Sequence, residues 1–153
     1  MRSLALAALI AIPTIASAES DVERMERLAS TMSTKMYAYI EERFPAAKGN
    51  LPDPGWNDEI RAAADCTMGA WEAEIGAAQV TALLDEMENH LNQEIEDFQA
   101  WSEGMPVSNP LSDEQNVAIE AQCGMANAMM NKMMSDPNMP NLMQAMSAAM
   151  GDG

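Results

Sequence analysis

The sequence predicts an all-α fold: a small helical bundle of four longer helices plus a short C-terminal helix, with one disulfide. Apolar residues recur every three or four positions over long stretches, as in helices that bury one face. Two capping boxes, Ser20 to Glu23 and Ser112 to Gln115, mark helix starts, because their side chains can bind the free amides of a first turn. Segments rich in proline and glycine separate the helical stretches.

The first 18 residues predict a secretory signal peptide. Arg2 precedes an apolar run from Leu4 to Ile12, and Ala16-Ser17-Ala18 has the small side chains of a cleavage site. The apolar run is shorter than the roughly 20 residues that a membrane-spanning helix needs. We therefore expect cleavage near Ala18, a single helical domain over residues 19–153, a periplasmic or secreted location, and no transmembrane segment in the mature chain.

The boundaries of the first three helices follow from caps and breakers. The first helix begins after Ser20 and ends near Phe44, where a loop with three prolines and two glycines follows. Asn57 caps the second helix, which Gly76 ends. The third helix extends from about Ala77 to Glu103, with a regular apolar stripe along its length.

The fourth helix and the short last helix contain the Met-rich segment, residues 124–150. The fourth begins after the Ser112 capping box and continues to the Asp136-Pro137 pair. Pro140 fits the first turn of the last helix. At 100° per residue, four methionines of the last helix fall within about 60° of arc, an arrangement typical of packing against a core: Met139, Met143, Met146 and Met150.

Cys66 and Cys123 are the only cysteines, and they predict a disulfide between the second and fourth helices. An exported chain enters an oxidising compartment, where an even pair of cysteines usually forms such a bond. No C-x-x-C motif supports a redox or metal-binding thiol pair instead.

The net charge of −16 becomes −17 once Arg2 is removed with the signal peptide. A chain of that charge repels phosphate backbones and anionic lipids, so nucleic-acid binding and electrostatic membrane binding are disfavoured. Basic partners and cations are favoured.

The Met-rich segment leaves two functional hypotheses open beside simple core packing. It holds nine methionines, whereas Leu142 is the only leucine after Ser112. Methionine is flexible and polarizable, so a methionine face can bind a partner protein or an apolar ligand of irregular shape. The helical wheel predicts such a face on the fourth helix, wider than one bundle buries. Its residues are Met125, Met129, Met130, Met133 and Met134.

The alternative hypothesis is binding of Cu(I) or Ag(I), because thioether sulfurs suit soft metal ions. Two M-x-x-M pairs support the soft-metal hypothesis: Met130 with Met133, and Met143 with Met146. No other cofactor is expected from the sequence.

An enzyme is not expected, because no nucleophile elbow, phosphate loop or paired catalytic constellation occurs. His90 is the only histidine, which disfavours multi-histidine metal sites. The acidic residues Glu86, Glu94 and Asp97 around it predict a solvated, charged flank of the third helix.

Overall fold

The computed structural model describes residues 19–95, 97–104 and 111–151, with the backbone alone for 149–151. This part of the chain is all-α and contains no strand, which confirms the predicted fold class. The helices are α1 (Asp21–Arg43), a short 3₁₀ helix (Pro45–Ala47), α2 (Asp58–Ile75), α3 (Ala77–Leu91), α4 (Phe98–Glu103), α5 (Asp113–Cys123), α6 (Met125–Ser135) and α7 (Met139–Gly151).

The predicted caps form. The Ser20 side chain accepts a hydrogen bond from the Glu23 N–H, and the Glu23 carboxylate accepts one from the Ser20 N–H at 2.8 Å. Ser112 and Gln115 make the same reciprocal pair at the start of α5. The Asn57 side chain accepts from the N–H of the third residue of α2. These caps depend on neighbouring residues alone, which is why the sequence reveals them.

Two long helices predicted from periodicity are each broken in the structure. The stretch from Ala77 to Glu103 forms α3 and α4, with a non-helical connection after Asn92. The predicted fourth helix forms α5 and α6, because Gly124 adopts the left-handed conformation with φ 68° and ψ 28°. Glycine adopts that conformation without the clash that a Cβ atom would cause.

Helix α2 lies between two groups of buried side chains. One group joins α1, α2, α3 and α4 and comprises Leu28, Met68, Val80, Leu84, Leu91 and Trp101. The other joins α2 to α6 and comprises Trp56, Ile60, Ala63, Ala64, Met125 and Ala128. Val22 and Met25 of α1 pack against both groups, so the two form one continuous core.

Cys66 and Cys123 form the predicted disulfide, with their Cα atoms 5.5 Å apart. The bond joins the middle of α2 to the last residue of α5. It therefore fixes the position at which the chain turns through Gly124 into α6.

His90 does not lie on a solvated flank, so that prediction is wrong. Its side chain is buried, its Nε2 donates a hydrogen bond to the Trp101 carbonyl oxygen at 2.9 Å, and its ring stacks on the Trp101 ring. Among the described helices, none combines the length and the apolar character needed to cross a bilayer.

Candidate functional site

Four methionines on α6 form an exposed apolar surface, which we call the Met surface. Their exposed fractions are 44% for Met129, 58% for Met130, 45% for Met133 and 66% for Met134. At 100° per residue they lie within about 140° of arc on the helix. Large hydrophobic side chains on a folded surface are usually scattered singly, so four on two successive turns of one helix are a candidate binding surface.

The opposite side of α6 attaches the helix to the body of the protein. Met125 is 8% exposed and Ala128 is 3% exposed, and both pack in the core group of Trp56 and Ile60. Met125, predicted as part of the binding face, therefore lies in the core and not on the Met surface. Helix α6 is therefore attached to the core through Met125 and Ala128, which lie outside the Met surface.

Lys132 gives α6 a second attachment, to the loop before α2. Its Nζ donates a hydrogen bond to the Asp53 carbonyl oxygen and lies 3.7 Å from the Asp53 carboxylate. The Lys132 side chain is 20% exposed, so its aliphatic stem covers part of the helix side that faces the protein. The charge of the only cation on α6 is thereby directed away from the Met surface.

The turn between α6 and α7 is fixed by the Asp136 carboxylate. One oxygen accepts the Asn138 N–H at 2.8 Å, and the other accepts the Asp53 N–H at 3.0 Å. The Asn138 side chain donates to the Leu51 carbonyl oxygen at 3.1 Å. Hydrogen bonds from Asn138 and then Asp53 hold the pKa of Asp136 below its ordinary value. From the sequence, Asp136-Pro137 and the Asp53 loop were predicted only to end helices. The hydrogen bonds that join the two segments were not predicted.

Helix α7 buries Leu142 and not the centre of the predicted methionine stripe. Leu142 is 7% exposed, whereas Met143 is 62% exposed, and Met139 and Met146 are half-buried. The helix packs against the 3₁₀ helix and α6. Met143 thus adds an exposed thioether on the helix that follows the Met surface, and the Met150 side chain lies outside the described residues.

The thioethers of the soft-metal hypothesis are unequally accessible. Met130 and Met133 are exposed and lie one turn apart on α6, whereas in the second pair only Met143 is exposed and Met146 is half-buried. Both cysteines are in the disulfide. Within residues 19–95, 97–104 and 111–151, no group of three or more His, Cys, Asp and Glu residues is placed to hold a metal ion. A soft ion on α6 would therefore depend on thioether sulfur.

The charge around the Met surface differs sharply from that of the whole chain. Between residues 124 and 151 the only charged residues are Lys132 and Asp136, which cancel, although the chain carries a net charge of −16. Acidic groups lie at both ends of α6. The Glu120 carboxylate accepts the Ala126 N–H at 2.9 Å, and the Asp53 side chain, 75% exposed, lies beside Lys132. The Met surface is thus a neutral apolar patch on a strongly acidic protein.

Three arginines of the described residues are already paired with carboxylates of the same protein: Arg24, Arg27 and Arg61. Arg24 makes contacts of 2.6 Å with both Asp85 and Glu88, and Arg27 also contacts Glu88, at 2.8 Å. On α2, Arg61 pairs with a glutamate of α1 at 2.8 Å. These ion pairs join α1 to α2 and α3.

Two hollows of the described structure lie away from the Met surface. Two open hollows, of about 440 and 470 Å³, lie beside the Cys66–Cys123 disulfide between α2 and the α5–α6 segment. Their linings are mostly alanine, glycine and glutamine, with Glu74 in one and Glu59 in the other. They lack the convergent, buried polar groups that orient a small ligand in a binding pocket.

Comparison of the chain with models of known protein families, with curated proteins and with solved structures gave no match. The candidate function therefore depends on the chemistry of the Met surface itself.

Proposed function

We propose that this chain is an exported, non-catalytic binding protein whose Met surface binds an apolar face of another protein. The observation that carries this proposal is the exposure of 44–66% for four methionines of α6, a helix already anchored by Met125 and Ala128. Unpaired apolar surface on an anchored helix gains free energy when a partner covers it. Methionine suits such a contact because its unbranched side chain adapts to the partner's shape.

The partner chemistry that fits best is an amphipathic helix with basic residues beside its apolar face. Its apolar side chains would cover the neutral Met surface, and its lysines or arginines would approach the Glu120 carboxylate at the start of α6. The overall charge of −16 would also speed the encounter with a basic partner.

The direct experiment is titration of the mature chain with a synthetic helical peptide of leucine and lysine, about 18 residues or roughly five turns long. Labelled peptide is followed by fluorescence anisotropy. We expect binding of this peptide, and weaker binding of a scrambled peptide with the same composition and of a version with glutamate in place of lysine. Equal affinity for all three peptides would contradict the proposed partner chemistry.

Two matched variants connect binding to the Met surface. Replacing Met129, Met130, Met133 and Met134 by glutamine removes the apolar surface, and replacing the same four by leucine keeps it. We expect the glutamine variant to lose at least about ten-fold in affinity, which corresponds to about 1.4 kcal/mol, and the leucine variant to bind nearly as the wild type does. Unchanged affinity of the glutamine variant would place binding elsewhere.

Export is supported by two independent features. The first 18 residues, which lie outside the described part of the structure, have the pattern of a signal peptide, and Cys66–Cys123 is a bond typical of oxidising compartments. Expression of the whole chain in a bacterium, with N-terminal sequencing and intact mass of the periplasmic protein, tests this. We expect a chain that begins at Glu19 and contains no free thiol. An unprocessed cytosolic chain would contradict export.

Binding of Cu(I) or Ag(I) is the second candidate, favoured by exposed sulfurs one turn apart on α6, such as Met130 with Met133. Anaerobic Cu(I) titration of the wild type and of the leucine variant separates the two functions. Metal binding requires sulfur, so leucine should abolish it while leaving peptide binding intact. If the wild type cannot compete with even a weak Cu(I) ligand, the metal hypothesis fails.

A further inference from the structure

We propose that the Met surface is also an oxidation site, at which peroxide converts the exposed thioethers to sulfoxides and thereby releases the partner without unfolding the chain. The release rests on the proposed function, whereas the selective oxidation does not.

Among the methionines that the structure describes, some are accessible, some are shielded, and the rest are half-buried. The four on the Met surface and Met143 of α7 are 44–66% exposed, whereas Met68 is 2% exposed and Met125 is 8% exposed. Oxidation of methionine by a dissolved oxidant requires contact between sulfur and solvent. The exposed group should therefore react while the two core methionines stay protected.

The chemical step needs only a peroxide as co-reactant. A lone pair on the Met sulfur attacks one peroxide oxygen, an S–O bond forms, and the O–O bond breaks. With hydrogen peroxide the departing hydroxide takes up the proton of the transferred oxygen and leaves as water. Sulfur is oxidised by two electrons and the peroxide is reduced by two.

The structure explains why the fold should survive this change. A sulfoxide is polar, and a polar group without a hydrogen-bonding partner is costly only when it is buried. On the Met surface the new oxygen faces solvent. The attachment of α6 depends on Met125, Ala128 and Lys132, none of which needs to react. Oxidation at Met125 would instead place a polar oxygen beside Trp56 and Ile60.

Oxidation should weaken partner binding, because an apolar partner would have to cover the new S=O groups and remove their water. Leucine at the same positions would be equally apolar but could not respond to an oxidant. This difference gives a physical reason for the use of methionine on α6, in a region where Leu142 is the only leucine after Ser112.

The first test follows site-by-site oxidation of the disulfide-bonded mature chain by hydrogen peroxide, with peptide mass spectrometry and circular dichroism. Reaction in proportion to exposure predicts that Met129, at 44%, is oxidised at least about five-fold faster than Met125, at 8%. The helical signal should remain unchanged while the surface sites react. Equal rates at exposed and core sites, or loss of helix as the surface sites react, would overturn the proposal.

The second test measures binding of the leucine–lysine peptide before and after peroxide treatment. We expect the oxidised wild type to lose at least about ten-fold in affinity, and the leucine variant, given the same treatment, to keep its affinity. Undiminished binding by oxidised wild type would overturn the release. If untreated wild type does not bind the peptide, the proposed function and the release both fail, while the order of oxidation still decides whether the Met surface is an oxidation site.

Discussion

Replacing Met125 by alanine should destabilise the protein far more than replacing Met134, although both methionines belong to α6. Met125 is 8% exposed within the core group of Trp56 and Ile60, whereas Met134 is 66% exposed. Truncating a buried methionine to alanine costs about 2–5 kcal/mol, because apolar burial is lost and a cavity remains. A substitution on the surface usually changes stability by less than about 0.5 kcal/mol.

Urea unfolding of the disulfide-bonded chain, followed by circular dichroism and tryptophan fluorescence, measures both effects. If Met125→Ala costs about 3 kcal/mol and the urea dependence is about 2 kcal/mol per molar, the midpoint falls by about 1.5 M. Met134→Ala should leave the midpoint nearly unchanged. Met125→Leu is the matched control, and it should cost less than about 1.5 kcal/mol because it nearly conserves volume. Equal destabilisation by the two alanine variants would refute the division of α6 into a buried and an exposed side.

Three further predictions concern the elements that position α6 and α7. Replacing Cys66 and Cys123 by serine should lower the free energy of unfolding by about 4 kcal/mol in the chain-entropy model, which urea midpoints of the two forms would check. Gly124→Ala should cost about 1–2 kcal/mol because φ is 68° there, and Gly124→Asn should cost less. If alanine is tolerated as well as asparagine, the left-handed turn is not required. The folded-state pKa of Asp136 lies below its ordinary value of 3.8, so the charged carboxylate stabilises the fold above that pH. The stability advantage of wild type over Asp136→Asn should therefore be present at neutral pH and vanish as pH falls through the lowered pKa; urea midpoints that differ equally at neutral and strongly acidic pH would contradict this role.

Sequence reasoning succeeded where the structural cause is local. The caps at Ser20, Asn57 and Ser112 form because each side chain reaches amides of its own first turn. The disulfide was predictable because Cys66 and Cys123 are the only two cysteines of the chain. The all-α class follows from the same kind of evidence, since apolar periodicity is a property of each segment alone.

The prediction of one continuous fourth helix was wrong, because the left-handed backbone conformation of Gly124 interrupts the helix. The apolar pattern continues through Gly124, so a wheel drawn across it treats α5 and α6 as one helix with one wide apolar face. The left-handed turn at Gly124 ends α5 and begins α6, and the first turn of α6, which contains Met125, packs against Trp56 and Ile60. A glycine within a helical pattern is the only local sign of such a turn, and many glycines within helices do not make one.

Tertiary contacts explain why the burial of His90 and the orientation of α7 differ from the predictions. His90 has acidic neighbours along the sequence, but the return of the chain into α4 places Trp101 against its ring. On α7, the periodicity fits burial of either Leu142 or Met143, and the 3₁₀ helix and α6 decide which side is covered. The exposed surface could therefore be assigned to the Met-rich segment from sequence, but not to individual residues.

A spectrum of the methionine methyl groups, labelled with ¹³C, shows during titration with the leucine–lysine peptide which methionines the peptide contacts. Each methyl resonance reports the surroundings of one side chain. We predict that the resonances of Met129, Met130, Met133 and Met134 shift as peptide is added, while those of Met68 and Met125 stay in place. Shifts confined to methionines elsewhere, or no shift at saturating peptide, would contradict the account of the Met surface as a binding site.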